Sequence, residues 1–246
     1  TYTPDSELAG TFYYFCEATR NFSGCSVVSN PSKLQVYSQP AISEQPESFQ
    51  LCKDDVLPEI SIHYINGTPD AEYQWYESAT NNFLDARQIP GANNNSFKVQ
   101  KNDVGTHYYF CTINFTTPTC NQLISEPSCI IINQYPVISN HTIETASQIP
   151  FNFVPLNNNI IPQGTTYTWT IIEMLPSASI SGASEQTDAQ QQMHQQLTNN
   201  TNNTATIKYL IIPQANNCVG SSFELLVKVQ PGLNIDAIQE YISCNG

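Results

Sequence analysis

The sequence predicts an all-β protein built from tandem β-sandwich domains. Three observations lead there. A phrase recurs: "AGTFYYFCEATRNFSGC" at 9–25 and "VGTHYYFCTINFTTPTC" at 104–120 place the glycine, the first cysteine and the second cysteine at one common offset of 95 positions. A repeat of about that length points to successive domains, since solenoid units are far shorter. Apolar residues alternate at period two in short runs. The chain is also poor in charge, 12% of residues, and rich in Asn, Gln, Ser, Thr, Tyr and Phe, the composition of strands joined by polar turns.

A chain of 246 residues accommodates roughly two domains, and about one hundred residues suffice to bury a sandwich core. The formal charge of −13 would repel nucleic acid and anionic membrane surfaces, so neither is expected as a partner. The sequence contains no apolar run long enough to span a bilayer and no leader pattern, so a soluble fragment without direct membrane insertion is expected, any export signal lying outside it. Eight cysteines in a Lys-poor chain favour an oxidising compartment. No two cysteines form a C-x-x-C pair, and His63, His107, His141 and His194 stand alone, which argues against structural zinc.

Taken in order, residues 1–37 match only the second half of the repeated unit. Residues 38–133 read as a whole one. Their strands are "ISIHYI" at 60–65, "EYQWYES" at 72–78, "SFKVQ" at 96–100, "HYYFCTI" at 107–113 and "CIIIN" at 129–133. "NGTPD" at 66–70 and "IPGANNNS" at 89–96 supply turn residues between them. Trp75 lies mid-strand among alternating residues and is expected in the core, as is Trp169 further on.

Trp75 in a central strand, then "NDVGTHYYFC", a hairpin and a last strand resemble a bacterial immunoglobulin-like domain. The resemblance makes Tyr109, two residues before Cys111, a tyrosine-corner residue, with Tyr14 before Cys16 as its counterpart. Two departures stand out. The acid-to-cysteine spacing is two residues longer than the usual D-x-G-x-Y-x-C, and Ile62 occupies the early-strand position of the usual partner cysteine, so the usual inter-sheet disulfide is not expected.

Each copy instead carries two cysteines flanking a turn, so Cys16 is expected to bond Cys25 and Cys111 to bond Cys120. Cys129 aligns with Lys33 of the first copy and is expected to bond Cys52 on the opening strand. The Cys52–Cys120 connectivity stays open.

Beyond the linker "NQYPVIS", residues 134–231 carry "GTTYTWTI" at 164–171, "QQLTNNTNNTATIKYLIIP" at 195–213 and "NNCVGSSFELLVKVQP" at 216–231. Together these resemble the PKD-like domains of secreted Bacteroidetes proteins. The cysteine such domains place near their start is replaced by "IETASQIPF", which leaves Cys218 without its usual partner. The glutamine-rich "SEQTDAQQQMHQQL" at 184–197 fits a short helix or an extended polar excursion, read as a solvated connection. Residues 232–246, ending "EYISCNG", resemble the start of a following module. Both ends are therefore expected to continue into a longer array. The fold class is all-β: tandem immunoglobulin-like and PKD-like β-sandwich domains.

Catalytic motifs such as G-x-S-x-G, H-E-x-x-H and the Walker and Rossmann glycine patterns are missing from the sequence, so an enzyme is not expected and no cofactor is implied. Asp54 and Asp55 read as a solvated turn, and no metal is expected. Asn-x-Ser/Thr sequons such as those at Asn66 and Asn114 arise by chance in so amide-rich a chain. Tyr13, Phe15, Tyr108 and Phe110 alternate with the tyrosine-corner residues. They are expected to point away from the core as a contact surface.

The resemblance implies a segment of a large, non-catalytic cell-surface adhesin like the gliding-motility adhesins of the SprB type, exported by type IX secretion to the bacterial cell surface. Its expected partners are surface polysaccharide, other cell-surface or motility proteins and neighbouring modules of the same chain. The alternative is a set of accessory spacer or carbohydrate-binding modules on a secreted hydrolase.

Overall fold

The computed structural model describes residues 2–4, 7–22, 24–66, 70–115, 122–155 and 159–232. The chain divides into two compact units, one of residues 1–51 and 55–132, the other of residues 52–54 and 133–246.

The first unit opens with four strands: β1 (Gly10–Tyr14), β2 (Glu17–Thr19), β3 (Ser26–Val28) and β4 (Ser32–Val36). β1 pairs antiparallel with β4 from Gly10 opposite Val36 to Tyr14 opposite Ser32, and β2 with β3 continues the hairpin. Next come β5 (Ala41–Glu44), β6 (Phe49–Cys52), β7 (Glu59–Ser61), β8 (His63–Ile65), β9 (Glu72–Ser78), β10 (Arg87–Gln88), β11 (Ser96–Lys98), β12 (Gly105–Asn114), β13 (Leu123–Ile124) and β14 (Ser128–Asn133). One sheet has the order β10-β9-β12-β14-β6, with β13 also on β12; β5–β8 and β7–β11 form the facing ladders.

The core between these layers is assembled by alternation. Ile60 and Ile62, Phe97 and Val99, Tyr109, Cys111 and Ile113, and Ile130 and Ile132 are buried at every second position of their segments. Trp75 is fully buried, stacks on Phe97 with ring centroids 5.9 Å apart, and donates its indole N–H to the Asn94 carbonyl at 2.9 Å. That bond explains how a polar indole is tolerated there. Ile62 fills the early-strand cysteine position with an apolar side chain in the same core.

The repeated phrase is repeated architecture. β12 pairs with β14 from Gly105 opposite Ile132 to Tyr109 opposite Ser128, the same rungs as β1 with β4. Beyond them, the Cys111 N–H donates to the Ser125 hydroxyl at 2.9 Å and the Ser125 N–H to the Cys111 carbonyl at 2.9 Å. Cys16 and Ser29 exchange the equivalent two bonds at 2.9 and 2.8 Å. Gly10 and Gly105 share backbone angles, φ of 157° and 141°, that side-chain-bearing residues rarely adopt, which accounts for the repeated glycine.

The second unit contains β15 (His141–Ala146), β16 (Pro150–Phe153), β17 (Thr166–Leu175), β18 (Ile180–Ser181), β19 (Gln186–Gln190), β20 (Met193–Gln196), β21 (Thr198–Asn199), β22 (Ala205–Ala215), β23 (Cys218–Val219) and β24 (Phe223–Gln230). Its main sheet has the order β15-β24-β22-β17-β19, with β23 on β22, and β15 runs parallel to β24. β22 and β24 alternate strictly between buried and outward positions, putting Ile207, Tyr209, Ile211, Leu225, Val227 and Val229 in the core. Outward, Lys208 meets Glu173 and Glu224 at 3.3 and 3.5 Å, and Lys228 meets Glu144 at 3.0 Å. Trp169 is buried and donates to the Ser184 carbonyl at 2.9 Å.

The glutamine-rich segment is neither a helix nor a solvated connection. It contributes two strands, β19 and β20, on different ladders. Met193, Gln195 and Leu197 are buried at alternate positions, and Gln195 holds Ser184 through its side-chain amide. An extended backbone carries that apolar period of two, which a helix could not bury on one face.

Candidate functional site

The outward face of each repeated hairpin was the sequence's candidate contact surface, and the two copies present it differently. In the first, Tyr13 is 62% and Phe15 66% exposed. In the second, Tyr108 is half-buried and Phe110 only 3% exposed, which corrects the expectation of an open aromatic face there. The cause is Phe83, on a single 3-10 turn (Phe83–Asp85) between β9 and β10, whose ring packs edge-on against Phe110 at 5.6 Å and Tyr76 at 5.1 Å. Asn82 caps that turn by accepting the Leu84 N–H at 3.1 Å, and Thr80 donates to Asp85 at 2.7 Å. The sequence "TNNFLD" reads as a polar turn, and its single phenylalanine was the available signal.

The cysteines are also distributed differently from expectation. Cys52 bonds Cys218, not Cys129. Along the β6–β14 pairing, the Cys129 N–H donates to the Ser48 hydroxyl and the Lys53 N–H to the Asn133 carbonyl, so Cys52 and Cys129 sit near opposite ends of that ladder. Cys129 keeps its thiol. Cys218 is delivered by a two-residue turn, Asn216 and Asn217, both at positive φ (49° and 66°), that folds β23 back on β22. Gly220 follows because a Cβ there would lie 2.2 Å from the Pro136 carbonyl oxygen.

The Cys16–Cys25 bridge is not formed either. The hairpin sets Cys16 opposite Ser29 and Cys25 opposite Arg20, four rungs away, about 13 Å along a strand and beyond disulfide reach. Cys111 keeps a fully buried thiol, which burial pushes up to about 12. Its expected partner Cys120 lies outside the described residues. The neighbouring Tyr109 is likewise pushed up to about 12, by burial first and by the Glu77 carboxylate second.

Beside Tyr109 opens a cavity of about 320 Å³ lined by Glu77, Gln88, Pro90, Phe97, Lys101 and Tyr109, with Glu77 and Lys101 3.8 Å apart. Asp54 sits in the turn after β6 at φ 69° and pairs with Lys53 at 3.3 Å. Among the described residues no group of three or more His, Cys, Asp or Glu side chains is arranged to hold a metal ion, and no helix is long and apolar enough to cross a membrane.

Comparison with known proteins adds a family. Residues 145–233 match the PKD-like domain family. No curated protein matches the chain. Solved structures similar to it include Sidekick-1 immunoglobulin domains 1–5 (11% identity, 92% of this chain and 48% of that one, TM-score 0.48). Others are the extracellular domains 3–5 of Drosophila OTK (16% identity, 90% and 71%, TM-score 0.38) and the first two immunoglobulin domains of DIP-gamma (13% identity, 79% and 99%, TM-score 0.40). The chain spans about half the length of the first of these. By its strands and registers the described part of the chain is all-β, divided into two compact units, and residues 145–233, in the second of them, match the PKD-like domain family.

Proposed function

We propose that this chain is a structural and adhesive segment of a large surface protein that does no chemistry itself, its modules strung as a stalk on the exterior of a bacterial cell. The observation that carries the reading is the recurrence of one hairpin, rung for rung, ahead of a PKD-like module: modules repeated in series are built to extend and to present surface. The Cys52–Cys218 disulfide supports an extracytoplasmic location. Resemblance to the SprB-type adhesins extends the reading to gliding motility and type IX secretion. Polysaccharide or another surface protein is then the partner, met by the exposed Tyr13 and Phe15.

The test is a glycan array and a bead-attachment assay on the 246-residue chain, repeated with Tyr13→Ala/Phe15→Ala. Saturable, selective binding lost in the double variant supports the adhesive role. Absence of binding to any polysaccharide or cell surface sinks it. A second reading, accessory modules that hold polysaccharide for a secreted hydrolase, is favoured by the cavity beside Tyr109, whose Gln88, Glu77 and Lys101 are hydrogen-bonding groups suited to a neutral sugar. Binding that survives the double variant but falls with Gln88→Ala supports it.

A further inference from the structure

The Cys52–Cys218 bond joins residues 166 positions apart, and this changes the covalent route between the two ends of the chain. A chain under tension transmits force along its shortest covalent path. Here that path runs through residues 1–52, crosses the sulfur–sulfur bond and leaves from residue 218 onward. Residues 53–217 hang from it as a closed loop. Inside the loop lie Trp75, Tyr109 and Ile130 of the first core, and Trp169, Met193 and Tyr209 of the second.

We infer that the Cys52–Cys218 disulfide is a load bypass that takes residues 53–217, and with them the greater part of both hydrophobic cores, off the path of tension applied at the chain ends. Only Ile42, Phe49 and Leu51 beside the first core and the β24 residues Phe223, Leu225, Val227 and Val229 of the second are left on the loaded backbone. The local structure on either side of the bond fits this role. Cys52 is the last residue of β6, and Cys218 is the first residue of β23, with β24 beginning at Phe223, so the loaded backbone next to the bond is largely extended already and has little slack to yield. β24 is held by β15 on one side and β22 on the other, through six and seven register pairs. Tension drawn through β24 from both of its ends straightens it in place instead of peeling it away. Cys218 is fully buried, which shields one sulfur of the bond from attack by an external thiolate.

The biological use of the bypass rests on the proposed stalk, which bears load; the mechanical claim does not. The test therefore needs no ligand, and a negative glycan array leaves it standing. The 246-residue chain is tethered by its two ends, stretched under non-reducing conditions, and compared with Cys218→Ser. The loop of 166 positions stores about 580 Å of chain at roughly 3.5 Å per residue, so full extension of the variant exceeds that of the intact protein by that length. The buried Cys111 thiol is the second readout. With a thiol-reactive dye present and the force held, Cys111 labels in Cys218→Ser about tenfold or more faster than in the intact chain. Should Cys218→Ser fail to fold, the wild-type protein with a phosphine reductant added after folding makes the same comparison. Equal extension with and without the bond overturns the inference, and so does rapid Cys111 labelling in the loaded, oxidised chain.

Discussion

Two stretches of this molecule share a register and differ in almost everything that surrounds it. The β1–β4 and β12–β14 pairs match rung for rung, share their glycine conformation, and close with the same cysteine–serine exchange of hydrogen bonds. Yet Tyr109 is 1% exposed while its counterpart Tyr14 is half-buried, and Cys111 is buried while Cys16 is exposed. The difference teaches that register is local and burial is not. Turn chemistry and the glycine set which residues face each other. Burial comes from β9 along the far edge of β12, from β7 and β11 across the core, and from Phe83 on the outer face.

The sharpest way to break the comparison is to delete the paired tyrosines. Tyr109→Ala removes a ring packed 5.7 Å from Phe97 in a closed core and should cost about 3–5 kcal/mol. Tyr14→Ala should cost well under half of that, because its site is only partly covered. Denaturant unfolding followed by Trp75 fluorescence measures both, and equal losses would mean that the first hairpin has a hidden core.

Alkali separates the copies in a second way. Cys111, ordinarily near 9.0, and Tyr109, ordinarily near 10.0, are both pushed up to about 12 by burial, so the folded state keeps protons that the unfolded chain releases. Their contribution is fully present below about pH 9 and is lost as pH rises through 9 to 12, at on the order of 1 kcal/mol per pH unit for each group. A pH series of denaturation midpoints should fall across that window. In Cys111→Ala the fall should begin nearer pH 10, and an unchanged onset would exclude the thiol as its source.

Much of this was legible in the sequence, and the reason is the same locality. The doubled phrase announced the shared rungs, period-two alternation announced the strands, and Trp75 announced the core. What was not legible depended on residues far away in sequence. Phe83 covers Phe110 from a turn whose composition is almost wholly polar. Cys52 meets Cys218 across 166 positions, a pairing that no spacing rule reaches. The glutamines of 184–197 hid Met193 and Leu197, two apolar residues whose period of strand length was masked by polar neighbours.

The third comparison uses the serines. Ser125→Ala removes the acceptor for a buried Cys111 N–H, which no water can replace, and should cost about 1–3 kcal/mol. Ser29→Ala makes the same chemical change at exposed Cys16, where solvent takes over the N–H, and should cost less than about 0.5 kcal/mol. Thermal melts of the two variants give the ratio directly. Matching shifts would show that the exchange itself, and not its burial, sets the energy.

The smallest effect sharpens the contrast between the outer faces. Phe83→Ala removes a ring that packs on Phe110, a half-buried side chain on an exposed turn, and should cost about 1 kcal/mol. The second hairpin should then resemble the first, with Phe110 as open as Phe15 is now. An environment-sensitive apolar dye should bind the variant more strongly than the parent. Any polysaccharide that recognises Tyr13 and Phe15 should gain a second, weaker site at Tyr108 and Phe110, raising the stoichiometry on a titration from one toward two. If dye binding rises and stoichiometry does not, an open aromatic face is insufficient for recognition, and the binding determinant lies in what distinguishes the first hairpin apart from exposure, beginning with Lys33, which stands opposite Tyr13 where Cys129 stands opposite Tyr108.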